Sequence, residues 1–499
     1  MSIGNMIIKN RAALTSHGNV EGRKTVLDVL EAGFAAADPY ENAKKLIRVE
    51  DGKLIVGHKD FPVERSRERY AKWEPLVFDL SKVGNIYVVG GGKAAQRQAK
   101  AIEDVLGDLI TEGQVNAKKG EPHWCRRIHV TFAGHPIPDE DSVEGSKRIL
   151  EIEKKARKGD IVFFSESGGA SALMCLPGPG LTLEDLQEVN RILYFEHGAS
   201  MPDANAVRWM LVDLRGRHER HVGDATFIGI HTAEAPPESP ALRPRSPRNA
   251  TETQDGYRNA IAVLKRYRVW DKVPQSVRTY LEKADPRYDR IRPGELEGKP
   301  IYHFRVMGPE YMLSAAKKKA EEIGINAAII ASSLNDMECR PIGEMLAYMA
   351  REVEVHGRPF RPPCALILGG ELLVTVGEAT GKGGRNQEFV LSAAHVIAGS
   401  ENIVMASADS DGTDGPTNMA GGIVDGYTVE RAVEAGIDIY EELKNHNSGG
   451  ALEKLGDSIF TGAQGTNVRD LRIAYCADRM PEEKLLRFIN SGRTSLQWG

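Results

Sequence analysis

What most constrains the fold of this chain is a repeated local order: a strand-length apolar run, a turn of glycine or serine, then helical spacing. Residues 86–89 read as a buried strand, Gly90, Gly91 and Gly92 as a tight turn, and 93–106 as a helix with Ala94, Ala95, Ala99 and Ile102 on one side. Residues 128–132 run into the rigid loop Gly134-His135-Pro136 before a helix over about 141–156, and the strand 160–164 opens into Ser165, Glu166 and Ser167. The pattern returns with strands at 301–306 and 327–331, followed by helices over 310–323 and 342–356, and with a strand at 403–408. Strands that alternate with helices need parallel or mixed sheets, so the order predicts an α/β protein. A chain of 499 residues exceeds one ordinary core. The charged, Pro/Gly-punctuated stretch 285–300 has no periodicity, which sets the expected domains at 1–290 and 300–480, with a tail at 481–499.

Composition removes several function classes. Lys plus Arg number 65 against 70 Asp plus Glu, a net charge of −5 that argues against nucleic acid as the main partner. The first residues lack the apolar core and small-residue cleavage site of a signal peptide, and no run reaches the roughly 18 uninterrupted apolar residues of a spanning helix, so a cytoplasmic protein without membrane contact is expected. Cys125, Cys175, Cys339, Cys364 and Cys476 are odd in number and dispersed, which suggests neither a disulfide framework nor a zinc site.

The densest stretch runs over 362–388. Apolar runs at 365–368 and 372–376 predict two strands framing Gly369 and Gly370. Gly381, Gly383 and Gly384 then flank Lys382, followed by Arg385 and a helix over 386–394. Such a loop can offer backbone amides to an anion, with Arg385 near a helix N-terminus to grip phosphate or carboxylate in two places.

The first glycine turn admits two readings. Gly90, Gly92 and Ala95 fit the dinucleotide fingerprint G-x-G-x-x-A, but residues 111–120 show no strand ending in a ribose-binding acid. The reading preferred here is a phosphate or substrate site in which Gly91 and Gly92 approach the ligand and Lys93 supplies a mobile charge. Neither glycine loop matches the P-loop, and G-x-S-x-G is absent, which excludes a serine-hydrolase elbow. Ser167, Gly168, Gly169 and Ser171 can wrap an anion, and Asn205 and Arg208 can face the same cleft. The loop after 403–408 carries Asp409, Asp411 and Asp414, able to hold Mg²⁺ or take a proton from a hydroxyl; an EF-hand is ruled out by Asp414 and Ala420 at its Gly and Glu positions. Elsewhere, an amphipathic helix is expected over 23–37, a small hairpin or loop excursion over 49–62, helices over 183–196, 256–267 and 273–284, and an exposed loop over 211–248 interrupted by a strand at 225–231.

Six motifs stand in an order that resembles the class II, MOFRL-type glycerate kinase family: Gly90-Gly91-Gly92-Lys93-Ala94, Gly134-His135-Pro136, Ser167-Gly168-Gly169 with Ser171, Gly383-Gly384-Arg385-Asn386-Gln387-Glu388, Asp411-Gly412-Thr413-Asp414, and Thr461-Gly462 with Gly465-Thr466-Asn467. The resemblance covers about residues 23–475. It implies a Rossmann-like N-terminal domain with a parallel sheet, a C-terminal MOFRL domain with a mixed sheet, and a cleft where Mg-ATP phosphorylates the 2-hydroxyl of D-glycerate. It implies active-site cations at Lys93 and Arg385, with Asp411 and Asp414 as metal ligands or as groups that orient the hydroxyl. Gly91, Gly92, Ser167, Gly168, Gly169, Ser171, Asn205, Arg208, Gly383, Gly384 and Asn386 are the expected substrate or phosphate contacts. The implied partners are a small hydroxy acid and ATP with Mg²⁺, and a homodimer is the assembly considered.

The chain departs from the family pattern in one region. Where Lys-His-Leu-Ser usually follows Arg208 it has Trp209-Met210-Leu211-Val212, then Leu214-Arg215-Gly216-Arg217. Where a Ser-Asp-Val-x-Gly-Asp strand end is usual it reads Ile230-His231-Thr232-Ala233-Glu234-Ala235, and Leu372 replaces the threonine of Gly-Glu-Thr. Two rivals to the kinase therefore stand at this point: NAD(P)H-dependent hydroxypyruvate reduction, a name some relatives carry, and a non-catalytic ligand-binding homologue.

Overall fold

The computed structural model describes residues 7–61, 63–65, 74–199, 201–232, 256–292, 294–484 and 486. Two large sheets carry the fold. The first has seven strands in the spatial order Val63–Arg65, Ile301–Met307, Thr226–Thr232, Ile161–Glu166, Ile86–Gly91, Glu112–Lys118 and His129–Ala133. All neighbours are parallel except Val63–Arg65, which runs antiparallel to Ile301–Met307. The second has six strands, Asn326–Glu338, Cys364–Leu373, Asp470–Cys476, Ile403–Asp409, Gly421–Asp425 and Ser458–Ile459, parallel in the first pair and antiparallel in the rest. The expected α/β architecture with one parallel and one mixed sheet is thus the observed one. The predicted hairpin lies in a small antiparallel sheet, Ile47–Glu50, Lys53–Val56 and Leu76–Asp79.

Four expectations are corrected. The strand Ile301–Met307, expected to open the second domain, completes the first sheet, and the chain crosses to the second only at the helix Pro309–Glu322. The helix Val20–Ala36, expected in the first domain, packs on Pro309–Glu322 and on the strands Ile403–Asp409 and Asp470–Cys476. Residues 112–118 form a strand despite their polar sequence, because Gln114 and Asn116 are buried and bonded: Gln114 Nε2 donates to Asn116 Oδ1 at 2.9 Å and to Thr131 Oγ1 at 2.9 Å. Residues 364–373 form one strand where two were predicted, since Gly370, at φ +110°, lies against Leu334, where any Cβ would stand 2.2 Å from the carbonyl oxygen.

Part of the predicted 211–248 loop is built into the protein. Arg217 is fully buried and donates to the carbonyls of Val212, at 2.6 Å, and Asp289, at 3.2 Å. Residues 233–248, and all of the expected tail except 481–484 and 486, lie outside the described residues. Among the described residues no helix is long and apolar enough to cross a membrane.

One apolar cluster runs from the first sheet into the second, taking in Val88, Phe163 and Phe304, then Val26, Leu30 and Met312, then Val404 and Leu471. The helix Val20–Ala36 is also pinned electrostatically. Arg23 is fully buried and donates to Asp425 Oδ2 at 2.6 Å, Asp457 Oδ1 at 2.8 Å and the Leu14 carbonyl at 3.2 Å. Burial works against its charge, but Asp457 and Asp425 outweigh it and hold the guanidinium above its ordinary value. Arg23→Ala would take the guanidinium from buried Asp425 and leave buried Asp457 to Arg431. The expected loss is about 3–5 kcal/mol, read as a lower midpoint in denaturant unfolding; an unchanged midpoint would mean that apolar contacts alone hold this helix.

Candidate active site

Four loops leave the carboxyl ends of neighbouring parallel strands in the first sheet: the glycine turn after Ile86–Gly91, the turn after Glu112–Lys118, the Gly134-His135-Pro136 loop, and the Ser167 loop. Ligands of such sheets bind at this edge. The glycine turn is packed hard against the Ser167 loop. The amide of Gly92 donates to Asn116 O at 3.1 Å, that of Lys93 to Gly168 O at 2.9 Å and that of Ala94 to Ser167 Oγ at 2.8 Å. At Gly92, φ +134°, a Cβ would meet Ser167 Oγ at 2.3 Å, and at Gly90, φ +157°, it would meet Ser165 O at 2.0 Å. The turn therefore holds two loops together, with its amides engaged inside the protein and not offered to an anion as expected. What it delivers to the edge is the Lys93 side chain.

Lys93 Nζ lies 3.0 Å from Asp411 Oδ2, which joins the first sheet's edge to the acidic loop of the second. Both side chains keep partial exposure, 19% and 15%. The other Asp411 oxygen accepts from Thr413 N at 2.8 Å and Thr413 Oγ1 at 2.7 Å. Its loop is braced by the small-residue turn near the C-terminus: Gln464 N donates to Asp411 O, and Gly412 lies so close to Gly462 that a Cβ would stand 2.0 Å from its carbonyl oxygen.

Arg385 opens the helix Arg385–Ile397 among carboxylates. Its Nε donates to Asp470 Oδ2 at 2.7 Å, its Nη2 to Asp409 Oδ2 at 2.6 Å and to Asp470 Oδ1 at 2.9 Å, while Nη1 stands 3.5 Å from Glu371. Burial, with Asp411 and Asp470 close by, holds the Asp409 carboxyl well above the usual range. Asp470 is buried as well, but Arg385 and Arg472 hold it below.

Asp414 has a different place from the one expected. It is fully buried, and its oxygens accept from Asn386 N at 3.0 Å, Gln387 N at 3.0 Å and Asn386 Nδ2 at 3.3 Å, which anchors the first turn of the Arg385 helix. Burial pushes its carboxyl up to about 6, with Arg385 pulling the other way. Asn386, also fully buried, donates to Asp470 at 3.0 Å and is a part of this anchor, not a ligand contact. Gly383 and Gly384 are close-packed too: a Cβ would meet Ser448 Oγ at 2.4 Å at the first and Asp414 Cγ at 2.4 Å at the second.

On the other flank, Arg208 and Ser171 line a small cavity with Cys175, Asn190, Leu186 and Leu211. Ser171 Oγ accepts from Trp209 Nε1 at 2.9 Å, and the Asn205 side-chain oxygen is buried without a hydrogen-bond partner among the described residues. His135 joins the group: burial, then Lys93, Lys118 and Arg208, lower its pKa to about 4, so it is neutral at physiological pH. The sequence reading missed Glu121, whose carboxyl is pushed up to about 7 by burial, with Lys118 and Lys93 pulling the other way. Its only signal was an acid shortly after a strand that polar residues concealed.

Three of the departures from the family pattern, Trp209, Arg215 and His231, are joined through Glu166. The Arg215 guanidinium lies over the Trp209 ring at 4.9 Å and pairs with Glu166, Glu166 stands 3.2 Å from His231 Nδ1, and His231 Nε2 is 2.7 Å from His303 Nδ1.

The donor set bears on the expected magnesium. Among the described residues no three His, Cys, Asp or Glu side chains gather as a metal cage. Asp414 does not fit, because its oxygens face the helix amides. Asp411, partly exposed, fits an ion that takes one protein carboxylate and otherwise nucleotide phosphate and water.

Comparison with known proteins bears on the whole chain. Residues 25–282 match the model of a domain of unknown function, DUF4147, and residues 364–470 match the MOFRL family. A glycerate 2-kinase of Pyrococcus horikoshii is 36% identical over 458 residues, spanning 92% of this chain and 98% of that protein. A protein of Agrobacterium vitis provisionally named hydroxypyruvate reductase is 32% identical over 391 residues, 78% of this chain and 86% of its own. The crystal structure of glycerate kinase from Thermotoga maritima superposes with a TM-score of 0.73 at 31% identity, covering 91% of this chain and 99% of that one.

The distinct places of the two aspartates predict distinct variants. Asp414→Asn removes the charged acceptor of three N–H groups and should cost about 1–3 kcal/mol in denaturant unfolding. Asp411→Asn, at a partly exposed pair, should stay within about 1 kcal/mol of wild type. Equal losses would refute the division of roles.

Proposed function

The chain belongs to the DUF4147–MOFRL family of glycerate 2-kinases, and from that premise we propose that it uses Mg-ATP to phosphorylate the 2-hydroxyl of D-glycerate or a similar small hydroxy acid, giving 2-phosphoglycerate and ADP. The observation that carries this reading is the contact of Lys93 with Asp411, which brings a cation from one sheet and an acid from the other to a shared edge.

Phosphoryl transfer asks a protein mainly to position the reactants and neutralise charge. Lys93 is suited to follow the charge that moves between the transferred phosphoryl group and the leaving oxygen, since it sits on a turn that packing makes rigid. Arg385 is fixed at Asp409 and Asp470 through Nε and Nη2; its Nη1, 3.5 Å from Glu371, is the arm able to turn towards a phosphate oxygen. Arg208 is the cation suited to the acid's carboxylate, with Ser171 and Asn190 lining the same cavity. A magnesium ion bound with the nucleotide would be held at Asp411 and would supply further neutralisation of the phosphates.

The reductase reading loses its main support in the glycine turn. A dinucleotide pyrophosphate needs the amides at the start of the following helix. Those of Gly92, Lys93 and Ala94 are engaged by Asn116, Gly168 and Ser167.

Purified protein should release ADP from Mg-ATP in the presence of D-glycerate or another acid of a hydroxy-acid panel, with no NADH consumed on hydroxypyruvate. Lys93→Ala and Arg385→Ala should each lower kcat/KM by about 10²-fold or more, the scale of losing one charge-stabilising group. Full activity in both variants would refute the site.

A further inference from the structure

The loop after the strand His129–Ala133 carries a side chain to which the phosphoryl-transfer reading gives no task. Its backbone is held in place along its length. At Gly134 a Cβ would meet Ile137 O at 2.5 Å, Gln187 Nε2 donates to Pro138 O at 2.8 Å, and Asp139 caps the helix Glu140–Lys155 by accepting from Ser142 N at 3.0 Å. From this fixed loop the His135 imidazole packs on Gly169. A Cβ at Gly169 would stand 3.1 Å from His135 Cδ2, 3.2 Å from His135 Nε2 and 3.4 Å from Lys93 Cγ. Gly169, at φ +87°, therefore lets the ring and the Lys93 stem share one patch of the Ser167–Ser171 loop. Ser171, two residues on, lines the cavity of Arg208. The ring thus stands beside the cation suited to phosphate, on the loop that reaches the cation suited to the acid's carboxylate, and the charges of both act on it.

A hydroxyl that attacks phosphorus needs an acceptor for its hydrogen, so that its lone pair is turned the other way. Among the described residues neither ring nitrogen of His135 has a hydrogen-bond partner. Burial, then Lys93, Lys118 and Arg208, keep the ring neutral, with its pKa lowered to about 4, so one nitrogen retains its lone pair. The carboxylates nearby are committed elsewhere. Asp411 is tied to Lys93 and Thr413, Asp139 to Lys119 and Ser142, Asp409 and Asp470 hold Arg385, and Asp414 holds the helix amides. Two other unpartnered oxygens, Asn205 Oδ1 and Glu121 Oε2, are enclosed, whereas His135 is only half-buried. We propose that His135 Nε2 accepts the hydrogen bond of the acceptor hydroxyl and so aims its oxygen at the γ-phosphorus, an inference that rests on the kinase reading above. The task is orientation, which phosphoryl transfer demands of whatever holds its nucleophile.

The test compares wild type with His135→Ala and His135→Gln, each first checked for unchanged thermal unfolding. With the acid that wild type phosphorylates, His135→Ala should lose about 10²-fold in kcat/KM for the acid, while KM for ATP moves less than about threefold. Added imidazole should restore part of that rate. His135→Gln, whose amide reaches the place of Nε2, should keep at least about tenfold more activity than the alanine variant, and it carries the test if the alanine variant folds poorly. Calorimetric titration separates the contact from a structural role. His135→Ala should bind the acid about three- to tenfold more weakly than wild type does, the worth of one hydrogen bond, yet bind the same acid lacking its hydroxyl as wild type does. Wild-type kcat/KM in both variants, or an equal loss of affinity for the acid and its hydroxyl-free analogue, overturns the proposal and leaves the kinase standing. Wild type that releases no ADP with any acid of the panel overturns the kinase reading and this proposal with it.

Discussion

Three carboxylates buried at one end of the second sheet, Asp409, Asp414 and Asp470, are the constraint on which the site depends. Carboxylates out of water must be paired, hydrogen-bonded or protonated. Arg385 binds two of them, Arg472 shares Asp470 from a fully buried position, and the first amides of the Arg385 helix take the third. Each solution fixes backbone as well as charge. The start of the helix, the end of the strand Ile403–Asp409 and the start of Asp470–Cys476 are locked in one arrangement, and the next acid along the loop, Asp411, is presented towards Lys93.

The glycines serve the same end by letting backbone approach where side chains could not. Gly384 closes on Asp414, Gly412 on Gly462 and Gly92 on Ser167. A glycine-rich loop is usually read as a cradle whose bare amides await an anion. Here the amides after Gly91 are used internally, and close packing at both clusters holds a cation, Lys93 in one case and Arg385 in the other, in a fixed place. The geometry spends the glycines on rigidity, which phosphoryl transfer needs for positioning.

Much of this was legible in the chain. The strand–turn–helix order predicted the α/β class, and the ordered motifs pointed to both cations. What could not be read was pairing. Residues 112–118 lack the apolar run of a buried strand because Gln114 and Asn116 satisfy each other inside the sheet, and Glu121 stayed unnoticed behind them. Ile301–Met307 and Val20–Ala36 have clear local patterns, but which sheet each one covers depends on contacts hundreds of residues away, such as that of Arg23 with Asp425. Asp411 and Asp414 look alike in sequence, and only burial separates the partly exposed acid from the helix anchor.

The same lesson applies to the stretch where the chain leaves the pattern of its family. Read singly, Trp209, Arg215 and His231 look like losses from a binding cleft. In space they touch in series, Trp209 under Arg215, Arg215 on Glu166 and Glu166 beside His231, and the series meets the Ser167–Ser171 loop at Trp209 and at Glu166. Glu166 directly precedes Ser167, and Trp209 holds the Ser171 hydroxyl. A polar group left unpartnered at such depth would cost more than its bond is worth, so none of these residues could have changed alone without loss. Trp209, Arg215 and His231 therefore amount to one repacked support behind the Ser167–Ser171 loop, whereas Leu372, the departure in the second sheet, follows Glu371 beside Arg385.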